Sequence, residues 1–348
     1  MTKKLIYDLT LDELTHWVSE QGEPKYRAAQ IWEGLYKQYY SDPASYSNLS
    51  KTLKKRLDQA FIFSPLMPQA TLSSRDGNTV KTLFELSGGA RIETVLMRYT
   101  FRNSLCISTQ SGCAMGCTFC ATGQMGFTRH LTSGEIVAQV IYYANMLSQS
   151  SETLTNVVLM GMGEPFQNYD ACLDAIRRLN DPDGFNMGAR RFTISTVGIV
   201  PKIKKFADEG LQVNLAISLH AADNVTRSSL VPINRMYPIE KVIEACKYYI
   251  QKTNRRVSFE YALINGVNDS NLQAMALGDH LKGMLCHVNL IALNPTDGFD
   301  NTGSKQERID AFLQILTAKK IQATVRTRRG IEIQAGCGQL AYQQSDML

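Results

Sequence analysis

The sequence contains no apolar run of membrane-spanning length and no signal-type opening, since Met1-Thr-Lys-Lys leads straight into Asp8, Asp12 and Glu13. Both absences argue for a cytoplasmic chain with no membrane partner. Internal repeats and low-complexity tracts are missing too. Charge of one sign is scarce: the net charge of +5 permits a nucleic-acid partner without demanding one. What is present is a 348-residue chain, 44% hydrophobic and 20% charged, with room for one large domain and a small one.

Eight cysteines in a reducing compartment are not expected to form static disulfides, so they are free for clusters or catalysis. Cys113, Cys117 and Cys120 lie in the run Ser-Gly-Cys-Ala-Met-Gly-Cys-Thr-Phe-Cys, with no fourth cysteine just beyond. Iron–sulfur clusters commonly take four thiolates, so a cubane held by this triplet keeps one iron open to a small molecule. Structural zinc is the competing reading, with Cys106 or His130 as fourth ligand. Against it, structural zinc usually joins two short ligand pairs, whereas this triplet runs directly into Ala121, Thr122, Gly123 and Gly126.

Residues 1–64 read as a small N-terminal helical domain, accessory to the rest and a candidate RNA contact. Thr10 and Glu13 form a capping-box pattern ahead of Leu14 and Val18. A second helix is expected from near Pro24, carrying Ile31, Trp32 and Leu35, and a third from Ser50 through Lys51, Lys54, Lys55 and Arg56. Its basic cluster reads more readily as a solvated helix face than as an RNA clamp. Between 65 and 100, Thr82–Leu86 and Ile92–Met97 flank Ser87-Gly88-Gly89, a hairpin signature expected to link the two units.

From 101 to 340 strand-like and helical runs alternate. The expected strands are Leu105–Ser108, Asn156–Met160, Arg191–Thr196, Gln212–Ser218, Arg256–Ala262 and His287–Leu293. The fold class is therefore α/β, a partial (β/α)6 TIM-like barrel. Residues 341–348 are left as a tail. In such a barrel the chemistry belongs at the C-terminal strand ends. The cysteine triplet follows the first strand, and Gly161-Met-Gly-Glu-Pro165 the second. There Gly163 lets the backbone approach a ligand, and Glu164 can accept a bond from an amine. Ser195, then Ser218-Leu219-His220, and Asn294 close later strands on the same rim.

Together these features resemble the radical S-adenosylmethionine enzymes, in which the methionine moiety chelates the open iron. More narrowly, Arg91-Ile-Glu-Thr-Val95, Cys106–Arg129, Ser218–His220, Val231-Pro-Ile-Asn234, Asn265–Asp269, Val288–Ile291 and Cys337-Gly-Gln-Leu340 resemble the RlmN/Cfr family of RNA methyltransferases. The resemblance implies a [4Fe-4S] cluster on Cys113, Cys117 and Cys120. It also implies two S-adenosylmethionine molecules per turnover, held around Gly163, Glu164, Ser195, Ser218, Leu219, His220 and Asn294.

The same resemblance implies a ping-pong reaction. Cys337 takes a methyl group by displacement, as a thiolate nucleophile can. That methyl carbon, after hydrogen abstraction, adds to adenine carbon 2. Cys106 then attacks the sulfur of Cys337 in a transient disulfide, and Glu93 accepts the proton. The expected substrates are an adenosine of 23S rRNA and, beside it, one in tRNA, and the expected electron donor is a protein such as flavodoxin.

Two alternatives stand. One is the branch of this family that methylates carbon 8, although Arg326–Gly330 and Gly126–Arg129 look more like the carbon-2 branch. The other is a non-catalytic, zinc-stabilised RNA-binding module with no need of Cys337. Arg326, Arg328 and Arg329, with Arg190, Arg191, Lys202, Lys204 and Lys205, are candidates for a basic rim. Cys172, Cys246 and Cys286 are expected core fillers.

Overall fold

The computed structural model describes residues 3–296, 298–326, 329–336 and 338–340. Cys337, Arg328 and the tail from 341 lie outside the described residues. The N-terminal unit runs β1 (Lys4–Leu5), α1 (Leu11–Glu20), α2 (Tyr26–Tyr36), α3 (Lys51–Ala60) and β2 (Phe61–Ile62), and β1 pairs with β2. Thr10 and Glu13 close a reciprocal capping box on α1, and Ser50 caps α3. Leu14, Val18, Ile31, Trp32, Leu35, Leu53 and Leu57 are buried, which is the apolar stripe expected of amphipathic helices.

The rest of the chain is built on one ten-stranded sheet. Its antiparallel part is β3 (Met67–Ser73), β4 (Thr79–Glu85) and β5 (Arg91–Tyr99). β6 (Arg102–Cys106) pairs antiparallel with β5 and then parallel with the barrel strands. The 65–100 hairpin is thus not a separate bridge, because the backbone groups of β6 on that side pair with it and continue the sheet. A two-strand ribbon of β7 (Gln110–Gly112) and β8 (Phe127–His130) brackets the short helix α4 (Ala121–Gln124) and, with it, the cysteine triplet.

Parallel strands β9 (Asn156–Leu159), β10 (Phe192–Thr196), β11 (Asn214–Ser218), β12 (Val257–Leu263), β13 (Cys286–Ala292) and β14 (Ala323–Val325) follow in spatial order from β6. The crossover helices are α5 (Ser133–Ser148), α6 (Tyr169–Asn180), α7 (Val200–Asp208), α8 (Asn224–Leu230), α9 (Ile239–Thr253), α10 (Asn271–Leu281) and α11 (Gln306–Ala318). The six expected strands are present within two or three residues, and β14 adds a seventh parallel strand that the sequence reading missed. It is only three residues long and mostly exposed, so it lacks the apolar run of a buried strand. β14 and β3 stand at opposite ends of the sheet, so the barrel is partial. No described helix is long and apolar enough to cross a membrane. Cys172, Cys246 and Cys286 are buried in the core, as expected.

Candidate active site

All three triplet cysteines line one cavity at the C-terminal ends of the parallel strands, together with Gly163, Glu164, Ser195, Ser218, His220 and Asn294. Burial, and secondarily the neighbouring Cys120 and Glu164, pushes the Cys113 thiol up to about 12 and Cys117 well above its ordinary value. Thiols in such a place become thiolates only when a metal takes them, so loading the site releases protons. Among the described residues no three His, Cys, Asp or Glu side chains are gathered as closely as a single metal ion requires. A polynuclear cluster takes one thiolate per iron, a demand that the three thiols lining this cavity can meet. Neither alternative fourth ligand lines this cavity: Cys106 faces the neighbouring one, and His130 pairs with Gln110 and packs on Phe127.

Gly163 has φ +105°, and a Cβ there would meet Gln110, so the loop after β9 needs glycine at that point. Glu164 is buried, and its carboxylate accepts from the backbone N–H of Phe166 at 3.0 Å and Val197 at 2.9 Å. Burial outweighs these bonds and pushes its pKa up to about 7. Ser195 and Ser218 hydroxyls meet at 3.3 Å. His220 sits at φ +58°, uncommon for a residue with a side chain, and its Nδ1 accepts from the Ala262 N–H at 3.0 Å. Leu219 does not reach the cavity: its side chain is in the core, and its N–H and carbonyl are taken by Glu260 and Arg227.

Two residues that the sequence reading passed over organise this rim. Arg227 is wholly buried, and its guanidinium donates to the carbonyls of Val197, Ser218, Leu219 and Tyr237 and to Asn234 Oδ1. It therefore ties together the loops after β10 and β11 and the segment leading to α9. Glu260, on β12, lines the cavity and is held by Asn289 at 2.8 Å and Arg326 at 3.3 Å. Arg326 thus answers a buried carboxylate. Several of the described candidates for a basic rim stand apart from this cavity. Arg190 and Arg191 precede β10 at the opposite end of the sheet, and Lys204 and Lys205 on α7 pair with Glu244 and Asp170.

A second cavity of about 340 Å³ adjoins the first and shares Cys120, Met160, Gly161, Ile291, Asn294, Arg326 and Gly338 with it. Cys106, at the end of β6, lines it, as do Gly336 and Gly338 on either side of residue 337. The C-terminal segment is pinned beside the triplet: the Ala121 N–H donates to the Gly338 carbonyl at 2.8 Å, and the Thr122 hydroxyl to that of Leu340. A Cβ at Gly336 would press on the amide ends of Asn294 and Gln339, which would have to shift to make room for it.

Glu93 lines neither cavity. It shares the β5 face of Val95 and Met97, which do, and lies 3% exposed against Lys81 Nζ at 2.9 Å. The same Lys81 nitrogen donates to the Gln334 carbonyl at 3.2 Å, three residues before Cys337. Lys81, also missed in the sequence reading, therefore joins Glu93 to the C-terminal segment. Ser108 fixes Glu93 from the other side, donating to its carbonyl at 2.6 Å while accepting from the Met162 N–H at 2.9 Å.

Comparison with known proteins agrees with this arrangement. Residues 107–277 match the radical SAM superfamily, and residues 5–62 match the ribosomal RNA large subunit methyltransferase N-terminal domain. The chain is 49% identical to a probable dual-specificity RNA methyltransferase RlmN of Geobacillus kaustophilus, over 97% of its own length and 93% of that protein's. It is 47% identical to one of Staphylococcus aureus, over 98% and 94%. The crystal structure of a radical SAM methyltransferase from Sphaerobacter thermophilus superimposes with a TM-score of 0.95 at 51% identity, covering 97% of this chain and 99% of that one. From the three-thiol cavity, the partial barrel and this likeness along nearly the whole chain, the protein belongs to the radical SAM superfamily and, within it, to the RlmN family.

Proposed function

We propose that this enzyme is an S-adenosylmethionine-dependent RNA methyltransferase that methylates carbon 2 of an adenosine in 23S rRNA, with tRNA as a second substrate. The observation that carries the reading is the second cavity. It brings Cys106 and both neighbours of Cys337 to the same wall as Cys120, next to the three-thiol cavity.

Cys113, Cys117 and Cys120 hold the [4Fe-4S] cluster, and Gly163, Glu164, Ser195, Ser218, His220 and Asn294 surround S-adenosylmethionine. When bound, this pair supplies the radical hydrogen abstraction that an electrophilic amidine carbon requires, and two S-adenosylmethionine molecules are used per turnover. Cys337 would first take a methyl group on its sulfur as the methyl–sulfonium bond breaks and the donor leaves as a neutral thioether. After losing a hydrogen atom, that methyl carbon bonds to adenine carbon 2 and joins protein to RNA. Glu93 accepts the carbon-2 proton, the adduct's unpaired electron would return to the cluster site, and the methylene carbon takes up a proton when it is later freed from sulfur. Cys106 attacks the Cys337 sulfur, the carbon–sulfur bond breaks toward the methylated base, and a reductant then reopens the Cys106–Cys337 disulfide. The need for electrons and for open thiols suits a cytoplasmic enzyme fed by a flavodoxin-like donor.

The N-terminal unit, residues 1–64, supports the RNA substrate from outside the barrel, with Lys51, Lys55 and Arg56 exposed on α3. The test is nucleoside mass spectrometry of protein-free 23S rRNA and tRNA after anaerobic incubation with the reconstituted enzyme, a reductant and methyl-deuterated S-adenosylmethionine. Labelled 2-methyladenosine is the expected product. Label in 8-methyladenosine would place the chain in the carbon-8 branch, and no label at all would overturn the reading.

A further inference from the structure

β5 and β6 are joined by a two-residue turn, Thr100-Phe101, whose flanking residues Tyr99 and Arg102 line the second cavity. Phe101 at its tip is 95% exposed. A lone exposed aromatic is ordinary on a protein surface, but the surroundings of this one are not. The guanidinium carbons of Arg102 and Arg329 each lie 4.4 Å from the centroid of the Tyr99 ring. Neither arginine makes an ion pair among the described residues, whereas nearby Arg98 is bound to Glu152 at 3.2 Å. Packing against Tyr99 positions both guanidiniums; Arg329 Nη1 also donates to the Arg98 carbonyl at 3.1 Å, and the charge of the pair is left for an incoming anion. Tyr99, Arg102 and Arg329 all line the cavity that holds Cys106.

An exposed aromatic beside preset guanidiniums, at the mouth of a cavity that must admit one base, has the composition of a single-strand nucleic-acid platform. A target adenine has to leave its stack to enter, and its former neighbour loses a stacking surface. We propose that Phe101 supplies that surface, stacking on the base next to the target adenosine, while Arg102 and Arg329 hold the flanking phosphates. This rests on the RNA methyltransferase reading and names the part of the molecule that engages the nucleotides beside the reacting one. The four residue steps from Arg102 to Cys106 in extended conformation span about 13 Å, which sets the turn beside neighbouring nucleotides rather than over the target itself.

The test uses the reconstituted holoenzyme and protein-free 23S rRNA, with three readouts: RNA binding as a function of salt, RNA methylation, and reductive cleavage of S-adenosylmethionine without RNA. Phe101→Ala is expected to weaken binding and kcat/KM about ten-fold or more, with Phe101→Trp restoring both and cofactor cleavage unmoved. Arg102→Ala is expected to lower the slope of log binding constant against log salt by about one. Unchanged RNA binding in Phe101→Ala and an unchanged salt slope in Arg102→Ala would overturn the proposal. So would loss of self-association in sedimentation with RNA binding intact, which would make the turn a contact between copies. Wild-type enzyme that binds RNA but leaves no methyl group on it would sink the function, and the binding data would still judge the platform.

Discussion

Lys81 and Glu93 share a nearly closed space, at 6% and 3% exposure, and removing one leaves the other charged and uncompensated. Because Lys81 also holds the Gln334 carbonyl, its loss affects both Glu93, the proposed proton acceptor, and the segment that leads to Cys337. Lys81→Met is therefore expected to slow turnover at least 100-fold and to accumulate a covalent protein–RNA species, as Glu93→Gln would; denaturing gels of the reaction read this directly. A variant that merely lost all binding, with no adduct, would contradict it. Cys106→Ala is expected to trap the same adduct, and Cys337→Ala to form none and transfer no methyl group. Arg227 stands under a different demand, since its donors are spent on five acceptors in three segments. Arg227→Met leaves those acceptors buried without donors and should cost about 3 kcal/mol or more of stability in denaturant titrations. Lysine should not rescue it, because a point ammonium cannot reproduce the planar fork. The triplet cysteines were legible because their spacing is local. Lys81, Arg227 and Glu260 were not, because each acquires its role from segments that only folding makes adjacent.

At the scale of elements, the turn between β11 and α8 gives a pH prediction. Burial, and secondarily the Arg227 charge, pulls the His220 pKa from 6.5 down to about 3. Above pH 6.5 folded and unfolded forms are both neutral at this position. As pH falls below 6.5, the unfolded chain takes up a proton that the folded one refuses, so stability is lost progressively down to about pH 3. Thermal melts of the apoprotein should therefore show a shallower acid limb in His220→Asn than in wild type. Asparagine is suited to this comparison because it tolerates the left-handed backbone that His220 adopts. Periodicity announced the helices well: the expected capping box at Thr10 is formed with Glu13, and α5 opens on another between Thr132 and Glu135. β14 escaped because three mostly exposed residues carry no periodic signal. The hairpin strands were visible, yet their membership in the main sheet was not, since edge pairing depends on which neighbour the fold supplies.

Across the whole molecule, the N-terminal unit is fastened to the barrel by a few polar contacts around one apolar seam. Arg178 on α6 donates to the carbonyls of Tyr7 and Asp8 and to the Ser133 hydroxyl. Asp8 Oδ1 accepts from the Gly134 N–H at 2.7 Å, at the start of α5, and Trp32 Nε1 reaches Asp181 at 3.1 Å. Arg178→Met should weaken this docking by about 1.5–3 kcal/mol. The expected outcome is faster proteolysis between residues 62 and 67 and weaker RNA binding, while S-adenosylmethionine cleavage without RNA is retained. Equal loss of both activities would instead mean that the two units fold as one.

Local sequence was sufficient for whatever depends on neighbours in the chain. The thiol triplet, the glycine-rich loop after β9, the capped helices and the alternation of strands with helices are all set within a few residues. Only the tertiary structure decided what those pieces face. It put Cys106 and the neighbours of Cys337 on one wall and withdrew Leu219 into the core. It gave Arg326, a candidate phosphate contact, the buried Glu260 as partner and placed Arg190 and Arg191 at the N-terminal end of β10. The reason is physical: covalent spacing fixes which side chains can chelate or cap together, but a cavity is bounded by strand ends far apart in sequence, and their register is set by the packing of the entire core.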